Sequence, residues 1–159
     1  MTWDWLRLAE APWIRLATSS TGSVYDALKH EAHRRGLALR ILRGSRMRTE
    51  DALMDEFAAA CQLPPYFGAN WDALDECLQD LEIAAGEGVV LAVMDAEQLL
   101  ADAPPEHGRI LFDLLQDIAA AHAGQSRPLP FHVVLQAESN KMPALEAGLR
   151  ALGVSAARI

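Results

Sequence analysis

The sequence predicts an α/β fold: a small, mostly parallel sheet of three to four strands with helices packed against it. Strand-like and helix-like segments alternate along the chain, which is the order that crossover connections between parallel strands require. Residues 89–94 are a continuous apolar run, as expected for a strand buried on both faces. The chain has 159 residues, 51% of them hydrophobic and 23% charged, so we expect a single domain over residues 1–159.

The first sixty residues contain two strand-helix units. Residues 13–17 form the first strand, and the polar turn after it supplies Ser23 as the N-cap of a helix that ends before Gly36. The apolar stripe of this helix is formed by Val24, Leu28 and Ala32. Residues 37–42 form the second strand, and Thr49 caps the second helix. The core side of that helix is formed by Leu53, Phe57 and Cys61.

A pair of prolines, Pro64–Pro65, ends the second helix and forces an extended loop. Asn70 follows this loop as the N-cap of a third helix, which we place at residues 71–82. Gly86 and Gly88 bracket the turn into the strand at 89–94.

The last third of the chain continues the alternation. We expect a helix at residues 107–123, a fourth strand at 131–135 and a short terminal helix at 142–152. The expected core residues of the long helix are Ile110, Leu111, Leu114, Leu115 and Ile118.

The acidic residues are concentrated in the middle of the chain. The net charge is −8, yet Thr49 to Gly108 holds fourteen acidic residues and no lysine or arginine. Phosphate contacts need clustered basic residues, so we expect no direct binding of nucleic acid. Such an acidic segment either serves solubility alone or presents a surface to a positively charged partner.

The third helix has two distinct faces at 100° per residue. Its apolar side is formed by Trp71, Leu74, Cys77, Leu78 and Leu81. Its polar side carries Asp72, Asp75, Glu76, Gln79 and Asp80. Coplanar carboxylates of this kind resemble a phosphate backbone to an arginine-rich cleft. Of the aromatic residues before the helix, we expect Tyr66 on the surface and Phe67 in the core.

Sixteen consecutive residues, Leu63 to Leu78, have the sequence LPPYFGANWDALDECL. This stretch resembles the hallmark segment of the barstar family of ribonuclease inhibitors, and a weaker likeness extends from about Leu37 to Leu135. The resemblance implies a barstar-like core at 37–137, an N-terminal extension at 1–36 and a helical tail at 138–159. We expect the strand of the extension to join the sheet and its helix to cover one face.

The resemblance also implies a function: the inhibition of a basic ribonuclease, or a nuclease-like toxin, by insertion of this loop and helix into the active site. Tyr66 and Asp72 match contact residues of the family, and Glu76 matches the central acid that occupies a phosphate pocket. Asp75 and Leu81 stand where the family's prototype has tryptophans. The complete set of expected partner-binding residues is Tyr66, Asn70, Asp72, Asp75, Glu76, Gln79 and Asp80.

Two other functions stay open at this point. The chain is alternatively a barstar-related interaction module, or an immunity protein, for a different basic partner. As a third choice it is a small phosphate-handling enzyme that uses the turn at residues 18–23, although this turn lacks the glycines and the lysine of a phosphate-binding loop. His30, Glu31 and His33 lack a further ligand, so we expect no metal site, no cofactor and no catalytic residue.

The expected location is the cytoplasm. No apolar run reaches the ~18 residues of a membrane span, and the N-terminus lacks the pattern of a secretory signal. Cys61 and Cys77 are too few and too far apart for a disulfide scaffold or a thiolate zinc site, so we expect two buried thiols.

Overall fold

Five parallel strands form the sheet at the centre of the computed structural model, which describes residues 2–81 and 87–159. The strands are β1 (Ile14–Thr18), β2 (Ala38–Arg43), β3 (Val89–Met94), β4 (Phe131–Ala137) and β5 (Ala157–Arg158). Their order across the sheet is β2-β3-β4-β1-β5, and every neighbouring pair is parallel. The predicted fold class is confirmed, and the sheet has one more strand than expected because the two-residue β5 adds to β1.

Helices connect the strands. They are α1 (Thr21–Arg34), α2 (Glu50–Ala60), α3 (Trp71–Gln79), α4 (Pro105–Ala123) and α5 (Met142–Ala151). Three short 3₁₀ turns, at Asp4–Arg7, Gly44–Arg46 and Ala96–Gln98, complete the described elements. None of the described helices is both long enough and apolar enough to cross a membrane.

The two faces of the sheet belong to two separate apolar clusters, as β3 illustrates. Val89, Leu91 and Val93 face the cluster that is covered by α2, α3, α4 and α5. Val90, Ala92 and Met94 face the cluster that is covered by α1 and the Asp4–Arg7 turn. This alternation with period two gives three layers, and all six residues of β3 are buried. The N-terminal unit therefore joins the sheet and covers one face, as expected.

The predicted N-cap of α1 was wrong. Ser20, not Ser23, caps this helix, and its hydroxyl accepts a hydrogen bond of 3.3 Å from the Ser23 amide. The backbone of Ser20 is extended, and its carbonyl already accepts from the Val24 amide at 3.1 Å, so the helix begins three residues earlier than expected. The Thr49 cap of α2 is confirmed by a 3.3 Å bond from the Ala52 amide.

Helix α4 begins at Pro105, two residues before the expected start, because proline at the first helical position has no amide that needs an acceptor. Ile110 was expected in the core but is 40% exposed, since its neighbours Leu111 and Leu114 fill the face toward the sheet. Helix α3 ends at Gln79. The helix was expected to continue to Glu82, but Asp80 is its C-cap and Leu81 is not helical. Glu82 itself and the expected turn residue Gly86 lie outside the described residues.

Candidate functional site

The loop before α3 separates its two aromatic side chains. Tyr66 is 84% exposed, whereas Phe67 is half-buried and packs against the larger core cluster. A turn holds this arrangement, because the Phe67 amide donates to the Pro64 carbonyl at 2.9 Å. Tyr66 therefore lies on the surface, as expected, whereas Phe67 contacts the core but is less buried than expected.

Asn70 links this loop to the helix. Its side-chain oxygen accepts from the Ala73 amide at 2.8 Å, and its side-chain nitrogen donates to the Gly68 carbonyl at 3.3 Å. The first bond is an N-cap that satisfies one of the free amides of the helix end. The second ties the loop to the same side chain, so Asn70 fixes the direction in which Tyr66 and the helix face.

The two faces of α3 are those that the sequence predicted. Leu74 and Leu78 are fully buried, while Asp72, Glu76, Gln79 and Asp80 are exposed. Asp75 is half-buried, and its carboxylate accepts a 2.9 Å hydrogen bond from the Gln79 amide group. We call this region the acidic surface: Tyr66, Asn70, Asp72, Asp75, Glu76, Gln79 and Asp80.

Two apolar-side residues of α3 are less buried than expected. Trp71 is half-buried, packs against the core and meets His107 of α4 edge-on, with ring centroids 6.1 Å apart. Cys77 was expected to be buried but is half-buried. These contacts join α3 to α4, so the helix that carries the acidic surface is supported along its inner side.

Ion pairs neutralise only part of the acidic segment, and among the described residues none of these pairs involves the acids on or next to α3. Basic residues from outside Thr49–Gly108 neutralise several of its acids, in the pairs Arg43–Glu56, Arg48–Asp102, Arg127–Glu87 and Lys141–Glu97. In residues 2–81 and 87–159, no lysine, arginine or histidine pairs with the three acids of α3, which are Asp72, Asp75 and Glu76, or with Asp80 at its C-cap. Their negative charge is thus presented to the solvent.

Glu56 of α2 is an acid that is neutralised within the protein and has a structural role. Its carboxylate is 7% exposed and accepts three hydrogen bonds from Arg43, from the amide, Nε and Nη2, at 2.8 to 2.9 Å. Hydrogen bonding from Arg43 holds the pKa of Glu56 below its usual range. Arg48 likewise lowers the pKa of Asp102. The Glu56 pair joins α2 to β2, and the Asp102 pair joins two loops, so an arginine of the chain itself neutralises each of these carboxylates.

A groove of about 940 Å³ opens beside the acidic surface. Tyr66, Glu76 and Asp80 line it, together with Cys61, Cys77 and Arg40. Arg40 was not predicted as a site residue, because it lies on β2 and reaches the groove only through the tertiary fold. Its place between Leu39 and Ile41 indicates only a polar residue on one face of a strand.

Neither cysteine in the groove is activated. Burial raises the pKa of Cys61 to about 12. Burial, with Glu76 and Asp80 nearby, also raises the pKa of Cys77. Since the thiolate is the nucleophile, both thiols are unreactive at neutral pH.

The turn between β1 and α1 is held by protein groups. The fully buried Gln136 of β4 donates to the Ser19 carbonyl at 2.7 Å and accepts from the Asp95 amide at 2.8 Å. The Thr21 hydroxyl lies 3.5 Å from both Gln136 and Asp95. Across the described residues no group of three or more His, Cys, Asp or Glu side chains could hold a metal ion. Near the two histidines of α1, Glu31 pairs with Arg34 and Arg35.

The fold and the site define a small parallel α/β protein that presents an unneutralised acidic helix beside an exposed tyrosine. The chain belongs to the barstar family, because the family model for "Barstar (barnase inhibitor)" matches residues 37–136. The matched region includes β2, α3 and the whole acidic surface. A comparison with curated proteins finds no match.

Solved structures resemble the chain in fold. Cdc6p from Pyrobaculum aerophilum has a TM-score of 0.61 and 15% identity over 98% of this chain and 41% of its own. The Drosophila ORC structure bound to DNA has a TM-score of 0.53 and 16% identity over 94% of this chain and 26% of that one. This chain spans less than half the length of these proteins, and at such identity the likeness shows the α/β fold alone.

Proposed function

We propose that the chain inhibits a basic ribonuclease by placing the acidic surface in its active site, where the carboxylates take the positions of RNA phosphates. The observation that carries this proposal is the absence of ion pairs on α3 among the described residues, while basic residues neutralise acids elsewhere in the same segment. A cluster of like charges destabilises the compact state unless another molecule compensates it. A cationic cleft supplies that compensation.

The loop and helix are well prepared for such a contact. The Asn70 cap and the turn at Phe67 hold Tyr66 and α3 in one arrangement, so little conformational entropy is lost when a partner binds. Tyrosine contributes apolar area and a hydroxyl group with only two side-chain torsions to fix. Glu76 lies between Asp72 and Asp80 on the exposed face and is the expected anchor for a partner arginine.

The proposal assigns no reaction to the chain. Two observations support this: both thiols of the groove are protonated at neutral pH, and Gln136 holds the β1–α1 turn that a phosphate would have to approach. A ribonuclease inhibitor of this kind protects the cell's own RNA, so we place its action in the cytoplasm.

A second function is favoured by one specific feature. Asp75 and Leu81 occupy positions where the family's prototype has tryptophans, and Asp75 adds a further charge to the acidic surface. An immunity protein for a basic toxin other than a barnase-type ribonuclease fits this difference, since its partner would present more cations and less apolar area at that point.

Barnase serves as the probe that tests the proposal. Purified barnase is titrated with the chain, and RNA cleavage and the dissociation constant are measured at low and high salt. We expect stoichiometric inhibition that weakens as salt rises. Glu76→Ala should lose about 2 to 5 kcal/mol of binding free energy, the range for truncation of one member of a buried charge pair.

Asp26→Ala is the matched control, because Asp26 is an exposed acid on α1, on the opposite side of the sheet. It should inhibit like the unaltered chain. Binding without inhibition would favour the interaction module. If both substitutions weakened binding equally, the contact would be non-specific charge attraction and the proposal would be refuted.

A further inference from the structure

Arg40 is the one basic side chain among the described residues that line the groove beside the acidic surface. It lies on β2, the edge strand of the sheet, and is half-buried. Its Nη1 donates to the carbonyl of the adjacent Leu39 at 3.3 Å, and its buried Nε has no acceptor in the described part of the chain. Although Glu76 and Asp80 line the same groove, no described acid lies within ion-pair distance of Arg40.

This environment is unfavourable for the free protein. A buried donor without an acceptor is unfavourable, because it has lost its hydrogen bonds to water and gained no partner in the protein. The guanidinium group is also a planar fork that suits two parallel hydrogen bonds to a carboxylate. The Nε atom itself is closed to solvent, so an acceptor from outside can approach the guanidinium group only from the groove that Arg40 lines, where the proposed partner would bind.

We propose that Arg40 is a partner-contact residue that binds a carboxylate of the inhibited protein. This inference rests on the proposed function. The acidic surface binds the cations of the partner's cleft, and Arg40 binds a carboxylate that lies among those cations. A nuclease cleft whose general base is Glu or Asp supplies such a carboxylate, because that base stands beside the cations that hold the phosphate.

The consequence for specificity is that Arg40 selects against surfaces that are only basic. A partner with cations alone meets an unpaired positive charge in the groove and is disfavoured, whereas a partner with a correctly placed carboxylate gains a charge-assisted pair. Acidic helices without this arginine would lack the discrimination.

The test depends on the direction in which a substitution of Arg40 changes the binding affinity. Arg40→Gln makes the chain more negative, so long-range attraction to a basic partner would by itself tighten binding. The inference predicts the opposite: binding to barnase at least tenfold weaker than that of the unaltered chain. Arg150→Gln is the matched control, since Arg150 is exposed on α5, makes no ion pair among the described residues and gives the same change of charge. It should bind within about twofold of the unaltered chain.

Two further measurements separate contact from folding. Arg40→Gln removes the unpaired Nε donor, so its melting temperature should be equal to or higher than that of the unaltered chain. Arg40→Lys keeps the charge but loses the fork, so its affinity should fall between the other two. Each acid of the barnase cleft is then changed to its amide, and one of these changes should abolish the difference between the unaltered chain and Arg40→Gln.

The outcomes distinguish this inference from the function on which it rests. If the unaltered chain inhibits barnase and Arg40→Gln binds equally or more tightly, the role of Arg40 is overturned and the inhibitor proposal stands. If no amide change in barnase removes the effect of Arg40→Gln, its acceptor is not a carboxylate and the inference also fails. If the unaltered chain does not bind barnase, both proposals fail.

Discussion

The substitution Glu56→Gln should destabilise the fold without affecting the acidic surface. An amide cannot replace both carboxylate oxygens, so one of the three donors of Arg43 would face an NH₂ group instead of an acceptor. A hydrogen bond that involves a charged group contributes ~1.5–3 kcal/mol. Because Arg43 is 58% exposed and water can replace part of the loss, we expect ~1–2 kcal/mol. For a chain of this length that lowers the melting temperature by about 2–8 °C.

Urea denaturation of both proteins between pH 7 and pH 3 measures this effect. The pKa of Glu56 is lower in the folded chain than its unfolded value of ~4.3, so its contribution is complete above that pH and disappears as pH falls through the folded pKa. The stability difference should therefore close below about pH 4. Glu76→Gln, which removes an exposed acid without an ion pair, is the comparison and should not be destabilising. A Glu56→Gln protein as stable as the unaltered chain at pH 7 would refute the structural role of this pair.

Three further changes test other parts of the structure. Asn70→Ala removes the cap and should cost ~1 kcal/mol in urea denaturation, whereas a loss below 0.3 kcal/mol would mean that water replaces it. Ala69→Gly should gain up to ~1 kcal/mol, because Ala69 has a φ of +51°, and a loss would contradict that backbone conformation. Burial, and then Arg15, lower the pKa of His132 to about 4. Stability should thus fall by about 3 kcal/mol from pH 6.5 to 4, where the unfolded chain binds a proton that the folded chain refuses, and His132→Phe should lack this slope.

Much of the fold could be predicted from the sequence because its signals are local. The apolar run of β3, the Thr49 and Asn70 caps and the Pro64–Pro65 break each act within a few residues. β5 could not be predicted, since two residues carry no periodicity and their pairing with β1 depends on tertiary contact. Ser20 was missed as a cap because residues 18–23 hold five serine and threonine residues, and both residue types suit that position.

The candidate site was predictable to the same extent. Asp72 to Asp80 lie on one helix and its C-cap, so the spacing of these residues along the chain identified the exposed face. Arg40 approaches from a distant strand, and nothing in its neighbours shows that its side chain enters the groove. The ion pairs of Glu56 and Asp102 could not be predicted from the sequence either, since Arg43 and Arg48 lie thirteen and fifty-four residues away from them.

The position of β1 in the sheet affects how the protein folds while it is synthesised on the ribosome. Thr18 pairs with Ala137, a residue translated 119 positions later. At a synthesis rate of ~5–20 residues per second, β4 is synthesised about 6–24 s after β1. We therefore expect the nascent N-terminal segment to need protection by a chaperone, while the acidic helix can already be complete.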